Sequence, residues 1–407
     1  MSDNTSLSAA KAAKNDEFYT QYSDIEAEMN AYVEYDPDVF RNKTILLPCD
    51  DPEWSSFTKY FAANFERFGL KKLISTSYAK GAGNRQLTFF EKESPLYDEK
   101  KHDTHGKLFI LSRDINGSGN IDSDDIEFTG YLEGDGDFRS DEVCKLRDES
   151  DIVITNPPFS LFREFLAWIL EAKKQFVIIG SKNAITYKEV FPLLKNNNIW
   201  LEPGFLGGNA FFRITPEDAR EFASGVYDVT AGLVKFRNVG WFTNIDYNAR
   251  HDVLQLDTME HNLKYNKKLK KRLLENNGKL EYLHYDNYDA IEVPFVECIP
   301  SDYNDVMGVP ITFLDNFNAD QFEILGYTGG LGWNDQNDMT TTITYLDCKQ
   351  HNPDGTITSG GKVNTGAAIR YDTMPSQRYY TASNRNGYLL RTYGRILIRH
   401  KLGGVRK

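Results

Sequence analysis

The segment that most constrains the fold is a short apolar run that ends in two successive prolines. The β-branched residues Ile152 to Thr155 lead directly into Asn156-Pro157-Pro158-Phe159. Such a run predicts a buried strand, and the prolines must end it because they have no N–H to donate. The apolar residues that follow recur at helical spacing: Phe162, Phe165, Leu166, Ile169 and Leu170. We therefore predict an α/β sheet with a rigid loop at the carboxyl end of a strand, where such sheets bind ligands.

The proline loop carries the groups that an amino-methyltransferase needs. The side-chain oxygen of Asn156 and the carbonyl of Pro157 can accept hydrogen bonds from one planar amino group. Pro158 keeps the loop stiff, and Phe159 offers a flat ring on which a base can stack. Holding an exocyclic amine in this way positions it for attack on a methyl group. The four residues are therefore predicted to be catalytic, with S-adenosylmethionine as the methyl donor.

The tetrapeptide alone could also be an ordinary strand-to-helix loop. The strand before it and the amphipathic helix after it favour the catalytic interpretation.

A strand end earlier in the chain carries acidic residues that could bind the cofactor. Residues 43–48 predict a first buried strand, and residues 73–77 predict a second after an aromatic helix that stops at Gly69. Directly after the first strand stand Cys49, Asp50 and Asp51, where a carboxylate can bind the ammonium of a methionine moiety. Acidic residues at a strand end can also be simple helix caps.

Two further segments are candidates for cofactor binding. Asp137 could accept a hydrogen bond from an adenine amine, and Phe138 could stack on the adenine ring. Asp137 precedes Asn156 by 19 positions (156 − 137), which leaves room for one short helix and one strand. Near the start of the chain, Phe18, Tyr19 and Thr20 could place a ring and a hydroxyl beside the cofactor.

Residues 80–133 are polar, acidic and rich in turns, and we predict an insertion into the catalytic domain. One loop in it has the spacing of an EF-hand calcium loop, with Gly119 at the sixth position. Side-chain oxygens stand at the ligand positions of this loop: Asp114, Asn116, Ser118, Asp122 and Asp125. A plain surface turn is favoured, because Asp125 replaces the usual bidentate Glu and the flanks are strand-like. Bound calcium would have a structural role.

Charge is distributed unevenly along the chain. The formal net charge of −12 would repel DNA phosphates if it were spread evenly, but the acidic residues concentrate in residues 92–151. A dense basic run in the second half could contact phosphates: Lys267, Lys268, Lys270, Lys271 and Arg272. A solvated helix face is the alternative interpretation of such a run.

Two regions are predicted along the chain. Residues 1–255 form the methyltransferase domain, which ends in a hairpin built from residues 234–236 and 241–243. Residues 256–407 form a target-recognition and DNA-binding region. The four scattered cysteines argue against a disulfide framework or a zinc site. The same cysteine pattern fits a reducing compartment, so we expect a cytoplasmic protein. No apolar run is long enough for a membrane span, so we expect no membrane partner.

Several segments together resemble the EcoRI-type adenine-specific DNA methyltransferases. They are residues 16–26, 49–52, 59–61, 134–140 and 156–163, and the resemblance extends through residues 241–244 and 308–314. By position, Tyr19 and Thr20 match the segment that supports the cofactor. Asp50 and Asp51 match the first cofactor motif, Asp137 and Phe138 match the adenine-side motif, and residues 156–159 match the catalytic loop. The chain departs from the wider methyltransferase pattern because no Gly-x-Gly follows the first strand and no acidic ribose ligand follows the second.

The resemblance implies a Rossmann-like methyltransferase fold that transfers a methyl group to adenine N6 in double-stranded DNA. The target adenine is expected to swing out of the duplex and to dock against Phe159. A cognate restriction endonuclease that acts separately would be the natural companion. From the residues alone, methylation of cytosine N4, of RNA or of a protein glutamine stays open, as does a non-catalytic DNA-binding decoy.

Overall fold

The structure is a computed structural model, and it describes residues 19–48, 50–52, 55–79, 94–202, 205, 209–213, 227–228, 230–329 and 339–401. The chain divides into two compact units. The first unit comprises residues 1–185 and 199–248, and the second comprises residues 186–198 and 249–407. The assignment of catalysis to residues 1–255 and of DNA recognition to residues 256–407 stays a prediction.

The first unit contains helices and strands in alternation. Its helices are α1 (Tyr22–Tyr35), α2 (Ser56–Ala63), α3 (Phe65–Phe68), α4 (Glu99–His102), α5 (Asp141–Glu149) and α6 (Phe162–Glu171). Its strands are β1 (Tyr19–Thr20), β2 (Thr44–Leu47), β3 (Lys72–Ser77), β4 (Lys107–Leu111), β5 (Glu127–Tyr131), β6 (Ile152–Thr155), β7 (Gln175–Ser181), β8 (Trp200–Glu202), β9 (Asn209–Arg213), β10 (Tyr227–Asp228), β11 (Leu233–Arg237) and β12 (Val239–Thr243). The α/β class predicted from the sequence is therefore confirmed.

Eight strands of this unit form one mixed sheet in the order β5-β4-β3-β2-β6-β7-β12-β8. The four central strands, β3, β2, β6 and β7, run parallel, and antiparallel strands flank them on both sides. Strand β6 is buried along its whole length, as its β-branched sequence predicts. The predicted insertion at residues 80–133 is only partly an appendage. Its segments β4 and β5 pair with β3 and with each other and so extend the sheet. Alternate residues of β4, such as Phe109 and Leu111, are buried in the core.

The predicted hairpin of residues 234–236 and 241–243 is wrong. Both segments are strands, but β12 pairs with β7 and β8 in the large sheet. Strand β11 belongs to a separate antiparallel sheet in the order β1-β9-β11-β10. Only Asn238 separates β11 from β12, and it adopts a left-handed conformation with φ of 57°. A hairpin needs a loop of at least two residues, so the chain passes from one sheet to the other instead.

The second unit contains more strand than helix. Its elements are α7 (Phe191–Lys195), α8 (Met259–Tyr265), α9 (Lys267–Asn277), β13 (Ile291–Glu292), β14 (Met307–Pro310), β15 (Phe322–Tyr327), β16 (Lys349–His351), β17 (Ile357–Ser359), β18 (Ala368–Tyr371), β19 (Tyr379–Ala382), β20 (Arg385–Arg391) and β21 (Arg395–His400). They form two sheets, in the orders β13-β14-β21-β15 and β17-β16-β19-β20-β18. In the part of the chain that the structure describes, no helix is long and apolar enough to cross a membrane.

Candidate active site

The proline loop begins where the buried strand β6 ends, between the parallel strands β2 and β7. Asn156 is half-buried with its side-chain oxygen in the interior, and Pro157 is buried. From Phe159 the chain makes a short 3₁₀ turn over residues 159–161 and then enters α6. The predicted strand, loop and helix are thus present in the predicted order, with Asn156 at the carboxyl edge of the sheet.

Thr155 connects the proline loop to the end of the neighbouring strand β2. Its hydroxyl lies 2.6 Å from Oδ2 of Asp50 and 2.8 Å from the carbonyl oxygen of Pro48. Thr155 is fully buried, and Asp50 is 8% exposed. Because a buried hydrogen bond to a carboxylate is costly to leave unmade, this contact fixes the residue before Asn156 against the first strand end.

Asp50 is held on its other side as well. Its Oδ1 accepts a hydrogen bond of 2.8 Å from the hydroxyl of Ser55, the residue that caps α2. Its backbone carbonyl accepts from the hydroxyl of Ser75 on β3. Asp50 therefore acts as a brace between the ends of β3, β2 and β6. Asp51 follows it and is half-buried, whereas Cys49 lies outside the described residues.

The segment that carries Asp137 crosses the end of β3. Gly136 has φ of +88°, and a Cβ atom there would lie 2.3 Å from the carbonyl oxygen of Ser77, so only glycine fits. The backbone N–H of Ala79 donates to the carbonyl of Asp135 over 2.7 Å. Glu142 on α5 accepts hydrogen bonds from the backbone N–H groups of Glu133 and Gly134. These contacts bring Asp137 to the carboxyl edge of β3, although the segment itself follows the antiparallel strand β5.

Asp137 is paired with a cation. Arg139 contacts both of its carboxylate oxygens, at 2.9 and 2.6 Å, and these hydrogen bonds lower the pKa of Asp137 below its usual range. Arg139 also contacts Glu164 on α6 at 2.8 Å. Asp137 is therefore ionised at neutral pH and linked through Arg139 to the helix that follows the proline loop.

Phe138 lies in the core in this structure. Its ring is 2% exposed and packs edge-on against Phe165 and Trp168 of α6, with centroid distances of 4.9 and 5.6 Å. The ring thus anchors the Asp137 segment to α6. Its predicted stacking on an adenine stays a prediction, and it would require the ring to turn out of this position.

The ring of Phe159 contacts the small antiparallel sheet. It lies edge-on to Phe212 of β9 and to Phe236 of β11, with centroid distances of 6.3 Å in both cases. Thr20 pairs with Phe212 in the register of β1 and β9, and Tyr19 pairs with Arg213. The structure therefore joins Tyr19 and Thr20 to the proline loop through one strand. Phe18 lies outside the described residues.

The hydroxyl of Thr20 is a feature of this region that points to a ligand. Thr20 is 3% exposed, and its Oγ1 has no hydrogen-bond partner among the described residues. A buried hydroxyl without a partner costs free energy, on the order of 1–3 kcal/mol. A polar group of a bound molecule could offset that cost.

Phe162, at the start of α6, fixes the direction in which the proline loop leaves the sheet. Its ring rests on Gly180 of β7, where an added Cβ atom would lie 2.3 Å from the ring. The ring also packs on Phe242 with a centroid distance of 4.8 Å. The loop is consequently held at both ends, by Thr155 and by Phe162.

In the predicted calcium loop, the side-chain oxygens accept hydrogen bonds from backbone N–H groups of the same loop. Asp125 is 1% exposed and accepts backbone hydrogen bonds from Ile115, Asn116 and Asp122. Burial alone would raise the pKa of Asp125, but these three donors outweigh it and lower that pKa. Asp114 likewise accepts from three backbone N–H groups, those of residues 117–119. Within the described ranges, no group of three or more His, Cys, Asp and Glu side chains is placed to hold a metal ion. A plain turn accounts for this loop, and calcium is without support.

The predicted basic run forms helix α9 in the second unit. Leu269 and Leu273 face its core, while the side chains of Lys267, Lys271 and Arg272 are exposed. Two cations of the run have partners within the protein. Lys268 lies 2.8 Å from Glu297 and covers the ring of Phe295, and Lys270 donates to the carbonyl of Lys264. The alternative of a solvated helix face therefore still stands beside the prediction of phosphate binding.

Sequence reasoning missed the residues that support the site. Thr155 looked like the last residue of a strand, and neither Phe212 nor Phe236 was connected with the loop. The alternation of apolar and charged residues from Val234 to Arg237 could have predicted an inward face that carries Phe236, but the apolar run 210–212 gives no such signal for Phe212. The partnership of Thr155 with Asp50 joins residues 105 positions apart, and no local pattern reports it.

Comparison with known proteins identifies the family to which this architecture belongs. The family model described as "Adenine-specific methyltransferase EcoRI" matches residues 6–401. The type II methyltransferase M.EcoRI of Escherichia coli is 40% identical over 339 residues, which is 83% of this chain and 92% of the relative. The type II methyltransferase M.MpnI of Mycoplasma pneumoniae is 33% identical over 319 residues, which is 78% of this chain and 83% of the relative. No solved structure matches the chain.

Proposed function

The chain belongs to the adenine-specific EcoRI methyltransferase family and is an adenine-specific DNA methyltransferase, and we propose that residues 156–159 hold the target adenine. The observation that carries this proposal is the double anchoring of the loop. The hydroxyl of Thr155 contacts Asp50 on one side, and Phe162 packs on Gly180 on the other. A loop fixed in this way can position an amino group without further reorganisation.

Each residue of the loop has a defined role in the proposed mechanism. The Oδ1 atom of Asn156 and the carbonyl of Pro157 accept the two hydrogens of the adenine N6 amine. Phe159 stacks on the flipped base, at a cost of a few kcal/mol for unstacking that base from the duplex. The amine is neutral before attack and loses a proton afterwards to water, so no strong base is required.

The residues around the loop fit S-adenosylmethionine, which the methyltransferase family uses. When bound, it supplies the methyl group. Thr20 has a buried hydroxyl that lacks a partner among the described residues and can meet a polar group of the cofactor. Asp50 and Asp51 are the candidates for the ammonium, and the hydroxyls of Ser55 and Thr155 hold the Asp50 carboxylate at the end of β2. Asp137 is ionised and can accept from the adenine amine of the cofactor.

The remaining finer assignments are part of the same proposal. The four parallel strands form a Rossmann-like core, and Tyr19 belongs to the segment that supports the cofactor. Phe138 stacks on the cofactor adenine once its ring has turned out of the core. The exposed cations of α9, including Lys267, Lys271 and Arg272, contact DNA phosphates without reading the sequence. A separate cognate endonuclease and a cytoplasmic location complete the proposal.

The test is methyl transfer by the purified protein to DNA from a methylation-deficient host. The wild-type protein should produce N6-methyladenine. The variant Asn156→Ala should transfer methyl groups at least about 100-fold more slowly, because the amine loses its main acceptor and its alignment. Calorimetric binding of S-adenosylmethionine should stay within about twofold. Near-normal transfer by this variant would overturn the proposed role of the loop.

The alternatives give different products in the same experiment. N4-methylcytosine would show that the loop accepts a different amine. Transfer only to RNA or to protein would show that the substrate is not DNA. Cofactor binding without any transfer would favour a non-catalytic DNA-binding decoy.

A further inference from the structure

The small antiparallel sheet of the first unit has two faces of different character. Its inward face carries Ala210, Phe212, Val234 and Phe236, which are at most 2% exposed. Because side chains alternate along a strand, the intervening residues of β9 and β11 lie on the opposite face. The register places Phe211 beside Lys235 and Arg213 beside Leu233, and Arg237 stands at the end of β11 on the same side.

The outward face combines three cations with an exposed aromatic ring. Phe211 is 40% exposed, and Arg213 and Arg237 are exposed as well. The Nζ atom of Lys235 lies 5.7 Å from the centroid of the Phe211 ring. The carboxylate of Asp228, at the edge of this face, already accepts hydrogen bonds from the backbone N–H groups of Thr230 and Ala231.

We propose that this face, formed by Phe211, Arg213, Lys235 and Arg237, binds the DNA strand that carries the target adenine. The inward neighbours of these residues, Phe212 and Phe236, contact the ring of Phe159, so the face and the proline loop are two sides of one layer. The adenine docks on the inner side of this layer, so the outward face is placed for phosphates that flank the target and not for the phosphate of the flipped nucleotide.

Charge and ring chemistry identify the occupant as DNA. A chain with a net charge of −12 concentrates three cations here, and cations that neutralise phosphates release counterions. The ring of Phe211 lies under the ammonium of Lys235 and helps to hold that cation at the outward face. This inference rests on the proposal that DNA reaches the Asn156 loop, and it adds a phosphate-binding surface in the first unit to the one proposed on α9.

The test measures the salt dependence of DNA binding by the full chain. The probe is a fluorescent duplex that contains a motif methylated by the wild-type protein. The variant Arg213→Gln/Lys235→Gln/Arg237→Gln should flatten the slope of log K against log salt by about 2.7, which is about 0.9 for each lost phosphate contact. The variant Phe211→Ala, which removes the ring that holds Lys235 at this face, should weaken binding about two- to fivefold with little change in the slope.

A matched control separates a local effect from the change in net charge. The variant Arg67→Gln/Lys71→Gln/Lys145→Gln also removes three cations of the first unit, all of them exposed, so both triple variants carry a net charge of −15 (−12 − 3). The control should keep the wild-type slope to within about one unit. Equal slopes for the two triple variants would overturn the inference.

Two further readouts keep the result interpretable. Binding of S-adenosylmethionine by each variant reports whether the first unit is folded, and Arg213→Lys/Arg237→Lys, which keeps both charges, should restore most of the slope. If the wild-type protein methylates no DNA adenine, the proposed function itself fails. If it methylates normally while the two triple variants bind alike, only this surface is refuted.

Discussion

The loop of residues 156–159 and the loop of residues 114–125 both resemble ligand sites in the sequence, but they use their polar groups differently. The first loop is held by distant partners: Thr155 contacts Asp50, and Phe162 packs on Gly180. The second is held mainly by its own carboxylates: Asp114 and Asp125 accept backbone hydrogen bonds from within the same loop, and Glu66 of α3 accepts one more from Ile121.

This difference shows how to distinguish an oxygen-rich loop that only stabilises its own turn from one that can bind a ligand. In the loop of residues 114–125, the carboxylates replace the missing backbone partners of a tight turn. In the proline loop, neighbouring elements provide the support through Thr155 and Phe162. A spacing pattern alone cannot separate the two cases, since it does not report where the oxygens find their donors.

After Asn156→Ala, the largest effect is expected from removing the aromatic ring of Phe159 in the proline loop. The variant Phe159→Ala should lower kcat/KM for DNA about 10- to 100-fold, because a base loses its stacking partner. Phe159→Tyr keeps a ring and should retain most of the activity. Steady-state transfer of labelled methyl groups measures both. Equal losses in the two variants would contradict a stacking role.

The next effect concerns the brace behind the loop. The variant Asp50→Asn should lower the free energy of unfolding by about 2 kcal/mol, because the hydroxyls of Ser55 and Thr155 lose a charged acceptor. Chemical denaturation measures this change. A variant as stable as the wild-type protein would show that these two hydrogen bonds do not hold the strand ends together.

A comparable substitution in the second loop should affect stability alone. The variant Asp125→Asn should cost about 1–2 kcal/mol, since an amide nitrogen would face the N–H of Asp122. Methyl transfer at 25 °C should be unchanged. A loss of transfer by the folded variant would connect this loop with the active site.

The lowered pKa of Asp125 gives the same loop a pH dependence. A carboxyl whose pKa is lower in the folded state stabilises the protein above its unfolded value, which is about 3.9. That contribution is lost as the pH falls through the folded value. The stability of wild-type protein and Asp125→Asn should therefore converge below about pH 3.9, which thermal unfolding across pH 2.5–7 can follow. A constant difference over that range would argue against an ionised Asp125.

The smallest effect is expected from calcium. Because the oxygens of residues 114–125 already have donors, millimolar calcium should leave the melting temperature unchanged. If calcium did bind, a free calcium concentration of 100 times the Kd would raise the free energy of unfolding by about 2.7 kcal/mol. Such a gain, abolished by Asp114→Asn, would restore calcium as a structural ligand.

The sequence predicted the local elements of the catalytic edge better than its connections. The strand at residues 152–155, the amphipathic helix after it and the end of a helix at Gly69 follow from periodicity, proline and glycine, and the structure confirms them. The wrong hairpin arose because β11 and β12 each have strand periodicity, which does not report the sheet to which a strand belongs. The contact of Thr155 with Asp50 and the burial of Phe138 depend on tertiary packing, so neither could be predicted locally.

The most direct test of the central claim is single-molecule sequencing with modified-base detection. The DNA comes from a methylation-deficient host that expresses either the wild-type protein or Asn156→Ala. The proline-loop mechanism predicts N6-methyladenine at one recurrent motif with the wild-type protein and unmodified DNA with the variant. The same motif methylated to the same extent by both proteins would contradict it.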